Sequence, residues 1–128
     1  MRAAAGLVFA LAAASPALAD MPVLELRAGA DVVAATAEDI LGAVATEYPV
    51  PSLSLRFKAG IAREISMLTG ANIGEEAQLS ICGKVLMRPI IRERIAGGSL
   101  VVTPIPVENL QTYLLVLTGE APCPTNDN

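Results

Sequence analysis

Between residues 53 and 70 the spacing of apolar side chains changes once, without a gap. Leu53, Leu55 and Phe57 alternate with Ser54, Arg56 and Lys58, the two-residue period of a strand with one buried face. From Ala59 onward Ile61, Ile65 and Leu68 recur at helical spacing, with Arg63, Glu64 and Ser66 on the opposite side and Gly70 placed as a C-terminal cap. A strand that hands over directly to an amphipathic helix has two one-sided apolar surfaces to bury. Such a chain folds as packed layers.

The same alternation extends in both directions. Val23 to Arg27 reads as a half-buried strand, and residues 29–35 are ambiguous and read as a loop. Thr36 stands three residues before Asp39, a capping-box spacing, and Ile40, Leu41 and Val44 share one helical face, so a helix is expected over 36–48, ended by Pro49 and Pro51. After a turn at 71–76, residues 77–82 read as a strand, and Gly83 suits a tight hairpin back into 84–91. Pro89 has no N–H to donate and should end that pairing. Residues 99–103 form a short β-branched strand, and Val107, Leu110, Leu114 and Leu117 mark the buried stripe of a last helix. The order is β-α-β-α-β-β-β-α, with five strands and three helices. The expected class is α+β in two layers, the helices packed on one face of a mostly antiparallel sheet.

The first nineteen residues read as a cleavable secretory signal peptide: Arg2, an apolar run from Ala3 to Ala14, a break at Ser15-Pro16, and small residues at Ala17 and Ala19 before cleavage at Asp20. The run is shorter than the ~20 residues of a membrane span. Residues 20–128 then form one domain of 109 residues, exported to the periplasm and without a membrane span after cleavage. With Arg2 set apart, eight basic side chains face thirteen acidic ones, a net charge of −5. A chain this acidic gains nothing from counterion release on a polyanion, which argues against nucleic acid as a partner. The charges read as scattered rather than clustered.

Cys82 and Cys123 are the only cysteines. In an oxidising compartment a disulfide is the favoured reading, closing a loop of about 42 residues and stabilising by roughly 4 kcal/mol on the loop-entropy argument. The alternative is a buried Cys82 thiol with Cys123 loose in the tail. Their separation lacks the short spacing of a redox or zinc motif. The chain has no histidine, which removes the commonest general base and a Ser-His-Asp arrangement together. The adjacent pairs Glu38-Asp39 and Glu75-Glu76 sit at element starts, do not face each other on a helix, and lack a calcium-loop spacing. Neither "ANIG" nor "AGGS" has the flanking residues of a phosphate cradle. Met67 and Met87 read as core filling. No catalytic residue, cofactor or metal is expected.

From Phe57 onward an ordered set of features resembles the head of the first periplasmic domain of the SecD family, a subunit of the bacterial protein-export machinery. The set comprises Thr69 at a helix end, Asn72 with Gly74, the hairpin at Gly83, Val85 with Pro89 and Ile91, and Ile95 with Gly97 and Gly98. The hairpin's usual Asp is Cys82 here, so the turn is expected to shift to Gly83-Lys84 in type II′ form. SecD carries membrane helices and a second periplasmic base, and this sequence reads as a free-standing copy of the head, its tail fastened by the Cys82–Cys123 bridge.

The resemblance implies a non-enzymatic module whose partner is unfolded polypeptide or an envelope protein. Arg92, Glu93 and Arg94 are the candidate rim of a polypeptide groove, and Gly97-Gly98 the place for close backbone approach. The bland alternatives are a solvated charged loop and a tight two-glycine turn. A second functional reading is a small envelope accessory protein that pairs with itself or with one folded partner.

Overall fold

The structure, a computed structural model, describes residues 21–124. The elements are β1 (Pro22–Ala28), β2 (Asp31–Thr36), β3 (Ile40–Thr46), β4 (Ser52–Phe57), α1 (Ala59–Ala71), β5 (Ala77–Ile81), β6 (Lys84–Met87), β7 (Ser99–Val102) and α2 (Val107–Leu117). They form two antiparallel sheets, one ordered β2-β1-β5-β6 and the other β3-β4-β7. The α+β class stands, with seven strands in two sheets and two helices in place of five strands and three helices. The signal-peptide segment lies outside the described residues.

The strand-to-helix handover is as its spacing requires. Leu53, Leu55 and Phe57 are buried while Ser54 and Arg56 are exposed, and α1 buries Ile61, Ile65, Leu68 and Thr69. α1 packs against β1 and β2 of one sheet and β4 of the other, and so joins the two layers. α2 lies against β1, β3 and β4. Its buried residues are Leu110, Tyr113, Val116 and Leu117, whereas Val107 is exposed and Leu114 only half-buried. The stripe is therefore rotated from the expected one, because the first turn after Pro106 stands clear of the sheet and Tyr113, the larger side chain, takes the inward position.

Two segments differ from the sequence reading. Residues 31–36 are not a loop but strand β2, which pairs with β1 from Pro22↔Thr36 to Ala28↔Asp31 and buries Val33 and Ala35. The expected helix over 36–48 is a single 3-10 turn, Ala37–Asp39, followed by β3. The capping contact exists, with the Thr36 N–H donating to Asp39 Oδ2 at 2.9 Å, but it caps that one turn. Residues four apart share a face in both a helix and a strand, so Ile40 and Val44 do not discriminate between them. In the strand Ala43 lies opposite Leu55 and Ala45 opposite Leu53, which turns small side chains inward beneath α2 and leaves Leu41 and Val44 exposed.

The β5–β6 hairpin pairs Ile81 with Lys84, leaving Cys82-Gly83 as a two-residue loop. Both have positive φ, 55° and 81°. This is a type I′ turn at Cys82-Gly83, not the expected shift to Gly83-Lys84 in type II′ form, because positive φ at both central residues is the mark of type I′. Cys82 is bonded to Cys123, which fastens the chain after α2 to the hairpin tip. β6 ends before Pro89, as the missing donor demands. The disulfide spans 41 positions. Its reduction is expected to lower the unfolding free energy by about 4 kcal/mol. Urea denaturation of oxidised and reduced protein checks this, and coincident midpoints would contradict it.

Candidate functional site: a groove between two open strand edges

β6 is an edge of the first sheet and β7 an edge of the second. The crossover between them, residues 88–98, contains Arg92, Glu93 and Arg94 and both glycines singled out in the sequence. It is held by backbone bonds although it has no regular ladder. The Ala77 N–H donates to Pro89 O at 2.8 Å, the Ile91 N–H to Glu75 O at 2.9 Å, and the Gly74 N–H to Ile91 O at 2.7 Å. Ile91 is thereby pulled into the core.

Thr69 fixes the second half of the crossover. Its hydroxyl, fully buried in the last turn of α1, donates to Ile65 O at 2.7 Å and accepts the Ile95 N–H at 2.9 Å. One side chain thus satisfies an orphan loop N–H that would otherwise be desolvated at a cost of about 1–3 kcal/mol. Arg94 lies across the same helix, its Nη1 donating to Ser66 O at 3.2 Å and Ser66 Oγ at 3.1 Å. Gly70 does not cap α1, which runs on to Ala71. It is small because the Arg94 guanidinium occupies the space a Cβ would need. Asn72 ends the helix, and its Nδ2 donates to Leu68 O at 2.8 Å and to Asp31 Oδ2 at 2.9 Å, tying α1 to the β1–β2 hairpin.

Gly98 has φ 76°, and its carbonyl accepts the Phe57 N–H at 2.9 Å. A Cβ there would come within 3.2 Å of the Ala62 Cβ, so this glycine seats β7 against the start of α1. At Gly97 a Cβ would meet nothing within 4 Å.

These constraints leave an apolar cavity of about 220 Å³ between the two open edges. Leu26, Ala77 and Leu79 form its floor from the first sheet. Met87, Pro89, Ile90 and Ile91 line it on the β6 side, and Ile95, Leu100 and Val101 on the β7 side. Of the five residues singled out from the sequence as binding residues, Arg92 and Glu93 line it, whereas Arg94, Gly97 and Gly98 do not. The sequence reading missed the apolar lining. Met87 is half-buried, packed against the core while it lines this cavity, and Met67 is exposed on the outside of α1 instead of filling the core. The available signal was a run of apolar residues, Ile90, Ile91 and Ile95, persisting beyond the proline that ends the strand.

A larger hollow of about 760 Å³ lies between Met21–Val23, Val116 and the tail from Thr118 to Cys123. Ala37, Glu38 and the chain's own disulfide-bonded tail wall it. Among the described residues no group of three or more His, Cys, Asp or Glu side chains is arranged to hold a metal ion, and no helix is long and apolar enough to cross a membrane.

No family model matches the chain. The curated relatives include the protein translocase subunit SecDF of Thermus thermophilus, 33% identical over 101 residues, or 77% of this chain and 13% of the relative. SecD of Rhodobacter capsulatus is 35% identical over 57% of the chain, and SecD of Magnetococcus marinus 37% identical over 44%. This chain matches a domain region of SecD and SecDF. Two solved structures agree. One, described as a membrane component SecDF that enhances protein export, superposes with a TM-score of 0.60 at 30% identity, over 70% of this chain and 42% of its own. SecDF in its super-membrane-facing form gives 0.58 at 30% identity, covering 12% of that protein. The chain spans 11 to 14% of the length of the curated relatives it matches.

The two neighbouring glycines give a direct check on the geometry. Gly98→Ala is expected to lower stability by about 1–2 kcal/mol, the cost of a left-handed conformation for a residue with a Cβ. Gly97→Ala should stay within about 0.5 kcal/mol of the parent. Urea denaturation of both variants reads this, and equal losses would contradict the assignment.

Proposed function

We propose that this chain is a non-enzymatic polypeptide-binding module of the cell envelope that acts in protein export, and that the groove between β6 and β7 is its binding site. The observation that carries the reading is the position of an apolar cavity between two strand edges that have no neighbour. An extended polypeptide offers backbone N–H and C=O groups in every register, so an open edge takes it without regard to sequence, while the cavity rewards an apolar side chain. At about 220 Å³ the cavity is below the ~300–1,000 Å³ of small-molecule sites and suits one or two side chains. The likeness to SecD and SecDF supports the export setting, since the relatives are named as protein translocase subunits.

In this reading residues 1–19 direct the chain across the membrane and are removed, and the domain works in the periplasm beside the translocon. Arg92 and Glu93, exposed at the groove, contact the polypeptide at its rim. The absence of histidine from the whole sequence leaves the groove with no ready general base near neutral pH.

The test is fluorescence anisotropy of a labelled, permanently unfolded polypeptide such as reduced and carboxymethylated lactalbumin. Ile90 is 46% exposed at the cavity, so Ile90→Ser removes an apolar contact with little effect on the core. Affinity should fall about fivefold to tenfold, the equivalent of roughly 1–1.4 kcal/mol. No binding by the parent, or equal binding by a folded Ile90→Ser, would refute the reading. For the export route, N-terminal sequencing of protein recovered from the periplasm should begin at Asp20, and a start at Met1 would contradict it.

A further inference from the structure

The two sheets have four edge strands, and three of them are short, or covered on one face, or begin with a charge. β2 begins at Asp31 and is packed against α1. β6 has four residues, begins with Lys84 and is followed by Pro89. β7 also has four residues and is followed by Pro104. Short length and charge limit the ladder that an edge can form with another folded copy, while β6 and β7 keep the few free backbone groups that a short stretch of polypeptide needs. β3 lies under α2 and its register shifts between Ile40 and Gly42, but it is neither short nor charged. It runs for seven residues, Ile40–Thr46, without a charge or a proline. Its ladder to β4 uses one side only, and none of residues 41–46 has a further backbone partner among the described residues.

The surroundings of this edge are also apolar. Leu41 is 55% exposed, Val44 62% and Tyr48 82%, with Val50 close behind in the chain. On the outer face of the sheet Val44 is aligned across Ser54 with the exposed Val101. Glu47 is the one charge between residues 40 and 55, in a chain of net charge −4. Arg56, opposite Gly42 with Nη2 3.6 Å from where a Cβ would stand, offsets that charge, and two copies of an acidic protein repel each other least through a surface of low net charge.

We propose that β3 is a self-association edge, at which a second copy of this chain pairs antiparallel about a twofold axis to join the two three-stranded sheets into one of six strands. An antiparallel strand is complementary to itself under such an axis, so the contact closes at a dimer and does not propagate. The proposal is independent of the polypeptide groove, which lies on the opposite edge of the same sheet, beside β7. It leaves both grooves of a dimer open.

The experiment is sedimentation velocity of the oxidised full chain across a wide concentration range, with two substitutions at exposed strand positions. The parent should show a reversible monomer–dimer equilibrium. Val44→Lys places two like charges at the paired edges and should weaken dimerisation by at least about tenfold, while Val32→Lys, at an exposed position on β2 of the other sheet, should leave it within about twofold. Circular dichroism confirms that each variant is folded. A parent that stays monomeric throughout, a dimer indifferent to Val44→Lys, or higher oligomers without a dimer plateau would each overturn the proposal. So would an unfolded polypeptide that competes the dimer apart at β3.

Discussion

The Thr69 hydroxyl joins the last turn of α1 to the Ile95 N–H of the crossover, and through it the two sheets acquire a fixed relation. α1 rests on β1 and β2 in one sheet and β4 in the other, so a loop pinned to α1 is pinned to both. Thr69 is the buried polar side chain among the described residues, and its two bonds are both satisfied inside the protein. Such a group is costly if unpaired and highly specific when paired. Arg94 over Gly70 and Gly98 against Ala62 repeat the tie at the two ends of the same segment. With the crossover so constrained, Met87 and Val101 stand on opposite sides of a gap that neither sheet fills.

The fixed segment explains why Arg94 and Gly98, within a charged and glycine-containing stretch, do not line the cavity. Arg94 is engaged with Ser66 and Gly98 with Phe57, so both residues hold the walls apart and leave the contacts to aliphatic side chains. Rigid walls favour binding, because an edge held in place loses little conformational freedom when a strand is added to it. The disulfide acts at the other end of β6. Cys82 starts the turn into that strand, and its bond to Cys123 restrains the hairpin tip.

The local rules read from the sequence hold where one short segment decides its own structure. The alternation of Leu53, Leu55 and Phe57, the helical spacing of Ile61, Ile65 and Leu68 and the stop at Pro89 are all of this kind, while Cys82 and Cys123, 41 positions apart, were legible because two cysteines allow a single pairing. The local rules fail where distant partners decide. Residues 40–46 carry a helix-compatible spacing, but β4 offers an unpaired edge and α2 needs small side chains beneath it, and Ala43 and Ala45 supply them. The split into two sheets is equally nonlocal, since β1 pairs with β5 some fifty positions later and β4 with β7 across the whole of the first sheet's second hairpin. At the site, the charged residues Arg92 and Glu93 stood out because the chain is sparsely charged, while Ile90, Leu100 and Val101 looked like ordinary strand and core residues until two edges were seen to face one cavity.

The central claim is that polypeptide adds to the chain at the edges beside this cavity, and amide hydrogen exchange reads that event most directly. In the presence of an unfolded polypeptide, the backbone amides of residues 84–87 and 99–102 should exchange more slowly, while those of α2 stay unchanged. Protection confined to α2 or to the tail around Cys123, or none at concentrations where binding is complete, would contradict the account.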